Sequence, residues 1–179
     1  MLAGLWIAVS PQGEAFVYRE LYESGLIVSE AARRILALEG PGERIDIRLA
    51  PPDLWGRTKD SGRTMAEIFA ENGVCFLKAD PVRVPGWMAL REWLRPRGEE
   101  GGGGPRLRVF DTCVNLLRTL PQLQYSRAVP NDADTQPHEL THAPDALRYW
   151  AISRPTVPRR EDEAPRRARD EEVRRYLFG

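Results

Sequence analysis

Cysteine and histidine are scarce in this 179-residue chain, and it has no long apolar run. The two cysteines, Cys75 and Cys113, lie far apart in apolar surroundings, which predicts buried reduced thiols rather than a disulfide or a metal-binding pair. No apolar stretch approaches the roughly 20 residues of a membrane span, and the apolar first residues lack the basic leader of a signal peptide. We therefore expect a cytoplasmic protein.

Lysine is nearly absent as well, because only Lys59 and Lys78 occur and arginine supplies the rest of the 26 basic residues. Acidic residues are equally numerous, so the formal net charge is zero and neither favours nor excludes a nucleic-acid partner. Arginine does bind phosphate with two parallel hydrogen bonds, which lysine cannot do. The composition, 42% hydrophobic and 29% charged, is that of one globular domain.

Turn residues divide the chain into short strand-like and helix-like segments. The first two strands are joined by a turn and form a β-hairpin, and the later strands alternate with helices. This order predicts an α/β fold with a mixed sheet over residues 1–154, with a flexible glycine-rich connection at 98–104. Charged residues of both signs dominate 155–179, which we interpret as a disordered tail. The predicted strands are residues 4–9, 15–20, 45–50, 74–77 and 107–110, and the predicted helices begin at Ser29, at Ser61 or Thr64, at Pro85, at Asp111 and at Thr141.

Residues 138–142 read His-Glu-Leu-Thr-His and match the H-E-x-x-H signature of zinc proteases. That signature needs both histidines one turn apart on a continuous helix. Pro144 would interrupt such a helix, because it removes a backbone hydrogen bond and clashes with the carbonyl four residues earlier. A helix that begins near Thr141 accommodates this proline and leaves His138 outside. We therefore predict that the motif is neither a zinc-protease site nor any other functional zinc site.

Two aspartates stand where a divalent-metal nuclease site could be built. Asp53 directly follows a predicted strand, and Asp145 lies in the first turn of the last predicted helix. Hard cations such as Mg²⁺ take oxygen ligands, and a pair of ions can activate water and stabilise the leaving oxygen at a phosphate. Purely structural roles remain open as alternatives. Asp53 could be a turn residue, and Asp145 could be an acidic residue that stabilises the start of its helix.

Six phrases of the sequence are specific enough to point to a known family. They read Pro-Pro-Asp-Leu-Trp, Thr-Met-Ala-Glu-Ile-Phe-Ala-Glu-Asn-Gly-Val, Arg-Val-Pro-Gly-Trp-Met, Phe-Asp-Thr-Cys, Arg-Thr-Leu-Pro and Pro-His-Glu-Leu-Thr-His-Ala-Pro-Asp-Ala-Leu-Arg-Tyr. In this order they resemble the C-terminal nuclease domain of tailed-phage terminase large subunits, over about residues 4–154. The resemblance implies an RNase H-like fold that cuts concatemeric phage DNA, with double-stranded DNA, the terminase small subunit and the portal protein as partners.

The resemblance also implies roles for individual residues. Asp53 matches the second acidic ligand of the family and Asp145 the third, in a site for two Mg²⁺ or Mn²⁺ ions. His142 would then orient a ligand or handle a proton, although a capping or surface histidine is equally consistent with the sequence.

The sequence departs from the family at its beginning. The first acidic ligand of the family lies on a central strand just ahead of the hairpin, and this chain starts at the hairpin. Neither Glu20 nor Asp46 replaces that aspartate by position, and the ATPase motor domain has no counterpart. We therefore expect an N-terminally truncated RNase H-like domain that is inactive as an isolated chain. The alternative is a remnant that binds DNA or docks on the portal without cutting.

Other charged residues have less specific interpretations. Asp111 is expected to cap the helix that follows it. Glu20 and Arg148 are expected to form a structural ion pair or to be surface charges. Four basic residues either contact DNA phosphates or belong to the solvated surface. These four are Arg57, Lys59, Arg63 and Arg83.

Overall fold

The computed structural model describes residues 1–57, 62–98 and 103–153, and within them the fold is α/β, as the sequence predicts. The tail at 155–179, part of the glycine-rich connection and Lys59 lie outside the described residues. Within the described residues, three short 3₁₀ turns accompany the main elements, at Pro52–Trp55, Leu120–Gln122 and His138–Leu140. The main elements are β1 (Leu2–Val9), β2 (Ala15–Glu23), α1 (Val28–Leu38), β3 (Leu49–Ala50), α2 (Met65–Glu71), β4 (Leu77–Lys78), α3 (Arg83–Leu94), β5 (Leu107–Val109), α4 (Val114–Thr119) and α5 (His142–Ser153).

The strands form two separate sheets within the described part of the chain. In the first sheet, β1 and β2 are an antiparallel hairpin with a bulge between Trp6 and Ile7, and β5 adds to β2 in parallel. The second sheet is the short parallel pair β3 and β4. Helix α5 packs against both β1 and β3, and so spans the two sheets. The outer edges of β1 and β3 have no strand partner among the described residues.

Helices cover both faces of the hairpin, which gives the fold three layers. On β1, Leu5 and Ile7 pack against one apolar cluster, whereas Trp6 between them belongs to the other. This alternation follows from the two-residue period of a strand, and a strand covered on both faces is apolar on both. The first cluster is built with α3, α4 and α5 and includes Val17, Leu90, Trp93, Leu107, Leu116 and Leu147. The second is built with α1 and α2 and includes Leu21, Ala32, Ile35, Phe69 and Val74.

The helix starts differ from the sequence predictions at three places, and one of these is α3, which begins at Arg83, two residues before the predicted Pro85. Thr64 caps α2 as predicted, in a reciprocal capping box with Glu67. Helix α1 begins at Val28, one residue before the predicted cap Ser29. Asp111 does not cap α4, because the helix begins three residues later at Val114.

The cap of α4 comes from a distant residue on the neighbouring strand. The Glu20 carboxylate on β2 accepts hydrogen bonds from the backbone N–H groups of Asn115 at 2.8 Å and Leu116 at 3.0 Å, and from the Asn115 side-chain amide at 2.8 Å. An acid at this end also complements the helix dipole. The prediction of a Glu20–Arg148 ion pair or surface charges was therefore wrong, because strand pairing brings Glu20 to a helix end.

The predicted strands 45–50 and 74–77 are shorter and displaced, with only Leu49–Ala50 and Leu77–Lys78 paired. The segment before β3 is fixed by side chains instead of a ladder. Glu43 accepts hydrogen bonds from Tyr18 and, at 2.8 Å, from Arg19. These bonds, led by the one from Arg19, lower the pKa of Glu43 to about 2. A similar role belongs to the half-buried pair of Arg48 and Glu39.

The two thiols differ in environment. Cys113 is buried, as predicted, and burial raises its pKa. Cys75 is exposed, so its predicted burial was wrong; it lies between α2 and β4 on a surface segment whose two strand residues, Leu77 and Lys78, are exposed as well. Neither cysteine forms a disulfide. None of the helices in the described ranges is long and apolar enough to cross a membrane.

Candidate functional site

Asp53 lies in the 3₁₀ turn Pro52–Trp55, which directly follows β3. Two prolines set up this turn, since Pro51 precedes it and Pro52 occupies its first position, where no N–H is needed. The Asp53 carbonyl accepts a hydrogen bond from Gly56 N–H at 3.0 Å, but its carboxylate is exposed and has no partner among the described residues. Asp53 therefore follows a strand, as the sequence predicts, and its carboxylate is unpaired within the described residues.

Asp145 lies in the first turn of α5, as predicted, but its carboxylate is already engaged. The backbone N–H of Asp145 donates to the Thr141 carbonyl at 2.8 Å, which closes the first turn of the helix. Its side chain, 24% exposed, accepts a hydrogen bond from Arg148 Nε at 2.9 Å and lies 3.5 Å from Arg83 Nη1. Two guanidinium groups therefore neutralise this carboxylate.

Arg148 is the most deeply buried charged residue among those described, with 1% of its side chain exposed. Besides Asp145, its guanidinium donates to the backbone carbonyl of Val82 at 3.0 Å, and it lies over the Tyr149 ring at 4.3 Å. Its aliphatic stem runs against Gly86 of α3, where a Cβ atom would come within 2.7 Å of Arg148 Cγ. The glycine thus leaves room for the arginine between α3 and α5.

A second aspartate completes this network. Asp132 is buried, and its carboxylate accepts hydrogen bonds from Arg83 Nε at 3.0 and 3.1 Å and from Trp87 Nε1 at 2.8 Å. Arg83 also donates to the Ala133 carbonyl at 3.0 Å. The network ties the loop around Asp132 to α3 and α5. Nothing in the sequence distinguishes Asp132 from Asp134 in the same polar loop, and sequence reasoning missed it.

The two histidines of the motif come together although they lie in different elements. His138 opens a 3₁₀ turn and His142 begins α5, so the chain is not one continuous helix here, in agreement with the argument from Pro144. Their ring centroids nevertheless lie 5.5 Å apart, with the ring planes tilted by 39°. Burial, and next the repulsion from His138, lower the pKa of His142, while the charges of Asp145 and Glu139 oppose this shift.

The residues predicted to contact phosphate are dispersed. Arg83 is the most constrained, because its guanidinium is held by Asp132, Asp145 and a backbone carbonyl. Arg63 forms an ion pair with Glu71 at the far end of α2. Arg57 is exposed, and its backbone forms an isolated bridge with Thr64. Arg57 and Arg63 therefore share one surface near the start of α2, and Arg83 belongs to the interior network instead.

The described residues do not by themselves make a complete metal centre. Within them no group of three or more His, Cys, Asp and Glu side chains could hold one ion. Asp53 offers an exposed carboxylate with no partner in the described part of the chain, whereas Asp145 is bound by two arginines. A Mg²⁺ ion demands near-octahedral oxygen coordination and is commonly held by one or two protein carboxylates plus water and substrate phosphates. The chain thus presents at most part of such a ligand set.

Comparison with known proteins adds no assignment, because no family model, no curated protein and no solved structure matches this chain. The architecture, α/β with a small mixed sheet flanked by helices, is observed directly. The function must be argued from the sequence phrases and from the positions of the two aspartates.

Proposed function

We propose that this chain is the nuclease domain of a tailed-phage terminase large subunit, an RNase H-like endonuclease that cuts concatemeric viral DNA with Mg²⁺ or Mn²⁺. The observation that carries the proposal is the position of the two predicted ligands. Asp53 follows β3 directly, and Asp145 lies on α5, the helix that packs against both β1 and β3. A strand-end carboxylate and a helix-borne carboxylate are the donors that such a site needs.

The division into two sheets also supports the proposal. The outer edges of β1 and β3 are unpaired within the described residues, and α5 underlies both sheets. One further strand between β1 and β3 would join them into a single mixed sheet and satisfy both rows of backbone groups. An RNase H-like sheet has its central strand, with the first acidic ligand, at this position. We propose that this strand comes from another segment or another polypeptide.

The metal would be held by Asp53, Asp145 and the carboxylate of the added strand. When bound, the ions would activate water and stabilise the leaving oxygen at the scissile phosphate. The role of Asp53 needs no rearrangement, because its carboxylate is exposed. Both arginine contacts of Asp145 fall on Oδ1, so a metal ion could bind at Oδ2 without the loss of either contact.

The other residues have supporting roles in this proposal. His142, one helical turn from Asp145, would orient a ligand or exchange a proton with solvent. Arg57 and Arg63 would contact the DNA backbone near the start of α2, which gives affinity without sequence preference; Lys59, expected to do the same, lies outside the described residues. The terminase small subunit and the portal would be partners of the assembled motor.

The ion pairs of Asp145 with Arg83 and Arg148 favour a second candidate function. A chain whose helix-borne aspartate is a counterion for Arg148 could be a remnant that binds DNA or docks on the portal without cutting. The two candidates differ in one measurable respect, which is Mn²⁺-dependent cleavage once the sheet is complete.

The test is plasmid nicking by the 179-residue chain, alone and with an apolar strand carrying one aspartate, supplied as a fusion or as a peptide. We expect no cleavage by the chain alone. The added strand should raise the thermal midpoint and create Mn²⁺-dependent nicking that Asp53→Ala abolishes. The stability should rise because the added strand would pair the edge backbone groups of β1 and β3. Each buried backbone group left unsatisfied costs roughly 1–3 kcal/mol.

Each outcome has a definite meaning. Stabilisation and DNA binding without nicking would favour the inactive remnant. Cleavage by the unsupplemented chain would show that the site or the topology is assigned wrongly. No effect of the strand on either stability or activity would refute the proposed sheet.

A further inference from the structure

The chain has two histidines in all, and the fold brings both together. His138 is exposed and His142 is half-buried, and their rings lie side by side at the entrance of α5. The proposed nuclease chemistry uses His142 at most and gives His138 no role. The pair therefore calls for its own explanation.

The backbone that carries the pair is held in place by several hydrogen bonds. The buried Thr141 donates through its backbone N–H to the His138 carbonyl at 3.1 Å and through its hydroxyl at 3.0 Å. The Tyr22 hydroxyl on β2 donates to the Glu139 carbonyl at 2.9 Å and fastens the turn to the sheet. A pair of rings on an anchored backbone loses less freedom when it binds a ligand.

The separation of the rings suits chelation of one ion. Two imidazoles that bind one tetrahedral Zn²⁺ through nitrogens at about 2.1 Å place their ring centroids roughly 5 Å apart. The observed separation is 5.5 Å.

We propose that His138 and His142 form a two-histidine site for a transition-metal ion of the Zn²⁺ class, with water completing the coordination. Imidazole nitrogen suits Zn²⁺, Cu²⁺ and Ni²⁺, whereas Mg²⁺ takes oxygen ligands. The site is not that of a zinc protease, because the histidines lie on separate elements and the described residues supply no third ligand. The proposal departs from the sequence prediction of no functional zinc site, because that prediction left His138 outside the helix, whereas the two rings lie 5.5 Å apart.

This inference does not depend on the proposed nuclease function. It rests on the geometry of the two rings and the anchored turn, and DNA cleavage plays no part in its test. The charges that act on His142 are the N-terminal ammonium of Met1, which disfavours a bound cation, and the carboxylates of Asp145 and Glu139, which favour one.

The test is a titration of the full untagged chain with ZnCl₂, followed by NMR of the histidine ring protons and by calorimetry. Since the chain has two histidines, the ring signals are assigned by the variants themselves. We expect both rings to shift together and to saturate at one Zn²⁺ per chain. Cys75→Ser provides the matched control, because the exposed thiol is the competing soft ligand, and it should leave the binding unchanged.

The single variants His138→Gln and His142→Gln should each weaken binding by about tenfold or more, because a second ligand on the same scaffold acts at high effective concentration. His138 is exposed, so its variant is not expected to disturb the fold. MgCl₂ at the same concentrations should leave the ring signals unmoved. Independent shifts of the two rings, or unchanged binding in His138→Gln, would show that the rings merely stack and would overturn the proposal.

Discussion

Asp145→Asn should destabilise the fold independently of any effect on activity. The change keeps the size of the side chain and removes its charge, which leaves the guanidinium of Arg148 without its closest counterion in a position that is 1% exposed. Removing one partner of a buried ion pair typically costs about 3–5 kcal/mol. Asp145 is 24% exposed and Arg148 keeps carbonyl and aromatic contacts, so we expect a smaller loss of about 2–4 kcal/mol.

The assay is urea unfolding of the full chain at neutral pH, with Asp53→Asn as the matched control. Asp53 is exposed and unpartnered among the described residues, so its variant should remain within about 0.5 kcal/mol of the parent. For a chain of this size the loss at Asp145 corresponds to a fall in the thermal midpoint of roughly 5–15 °C. The Asp145→Asn variant should thus be clearly less stable than the Asp53→Asn variant.

A double variant tests the physical reason. Replacing both partners, Asp145→Asn with Arg148→Met, removes the orphaned charge and fills the space with an apolar side chain. Such replacements of buried ion pairs are often neutral, so the double variant should be more stable than Asp145→Asn alone. Additive losses in the double variant, or a single Asp145→Asn variant as stable as the parent, would refute the counterion argument.

Three further changes test other contacts. Gly86→Ala should lower the free energy of unfolding by about 1–2 kcal/mol, because overpacking against the Arg148 stem outweighs the gain in helix propensity; a stabilised variant in urea unfolding would contradict the close contact. Glu20→Gln should cost about 1–2 kcal/mol as the cap of α4 loses its charge, whereas Glu23→Gln on the same strand should cost far less; equal losses would contradict the cap. The Glu43 carboxyl has a native pKa of about 2 against an ordinary 4.5. Its stabilising contribution is therefore complete above pH 4.5 and is lost as the pH falls toward 2. In Glu43→Gln the free energy of unfolding should depend less on pH over this acidic range, and an unchanged dependence would contradict this.

Sequence reasoning found the elements whose signals are local and missed those that depend on partners. The hairpin, the cap at Thr64 and the start of α5 follow from turn residues, a capping box and Pro144, and each lies within a few residues of its prediction. The strands predicted at 45–50 and 74–77 shrink to two paired residues each, because pairing is decided by neighbouring strands. The α4 cap was assigned to Asp111, since a glutamate 95 residues away from Asn115 gives no sequence signal.

The candidate site shows the same limit. The sequence locates Asp53 and Asp145 on the correct elements, but the charges that surround Asp145 come from α3 and from α5 itself. Arg83 was expected either to contact phosphate or to belong to the solvated surface, and it lies instead within an ion-pair network whose aspartate, Asp132, gave no sequence signal. The approach of the two histidine rings was also not foreseen, because it requires a 3₁₀ turn and a helix to meet at a fixed angle.

The two aspartates therefore carry unequal weight as evidence for a nuclease. Burial of Arg148 requires a nearby negative charge whatever the protein does, and this need alone accounts for Asp145 three residues earlier on the same helix. Loss of activity in an Asp145 variant would consequently not distinguish the loss of a metal ligand from the loss of stability. Asp53 has no comparable structural explanation, because its carboxylate is exposed and makes no contact among the described residues. Loss of Mn²⁺-dependent nicking in a fully stable Asp53→Ala protein, with the sheet completed, is thus the result that separates a nuclease from an inactive remnant. Retained nicking in that variant would remove Asp53 from the site and with it the main support for the proposed chemistry.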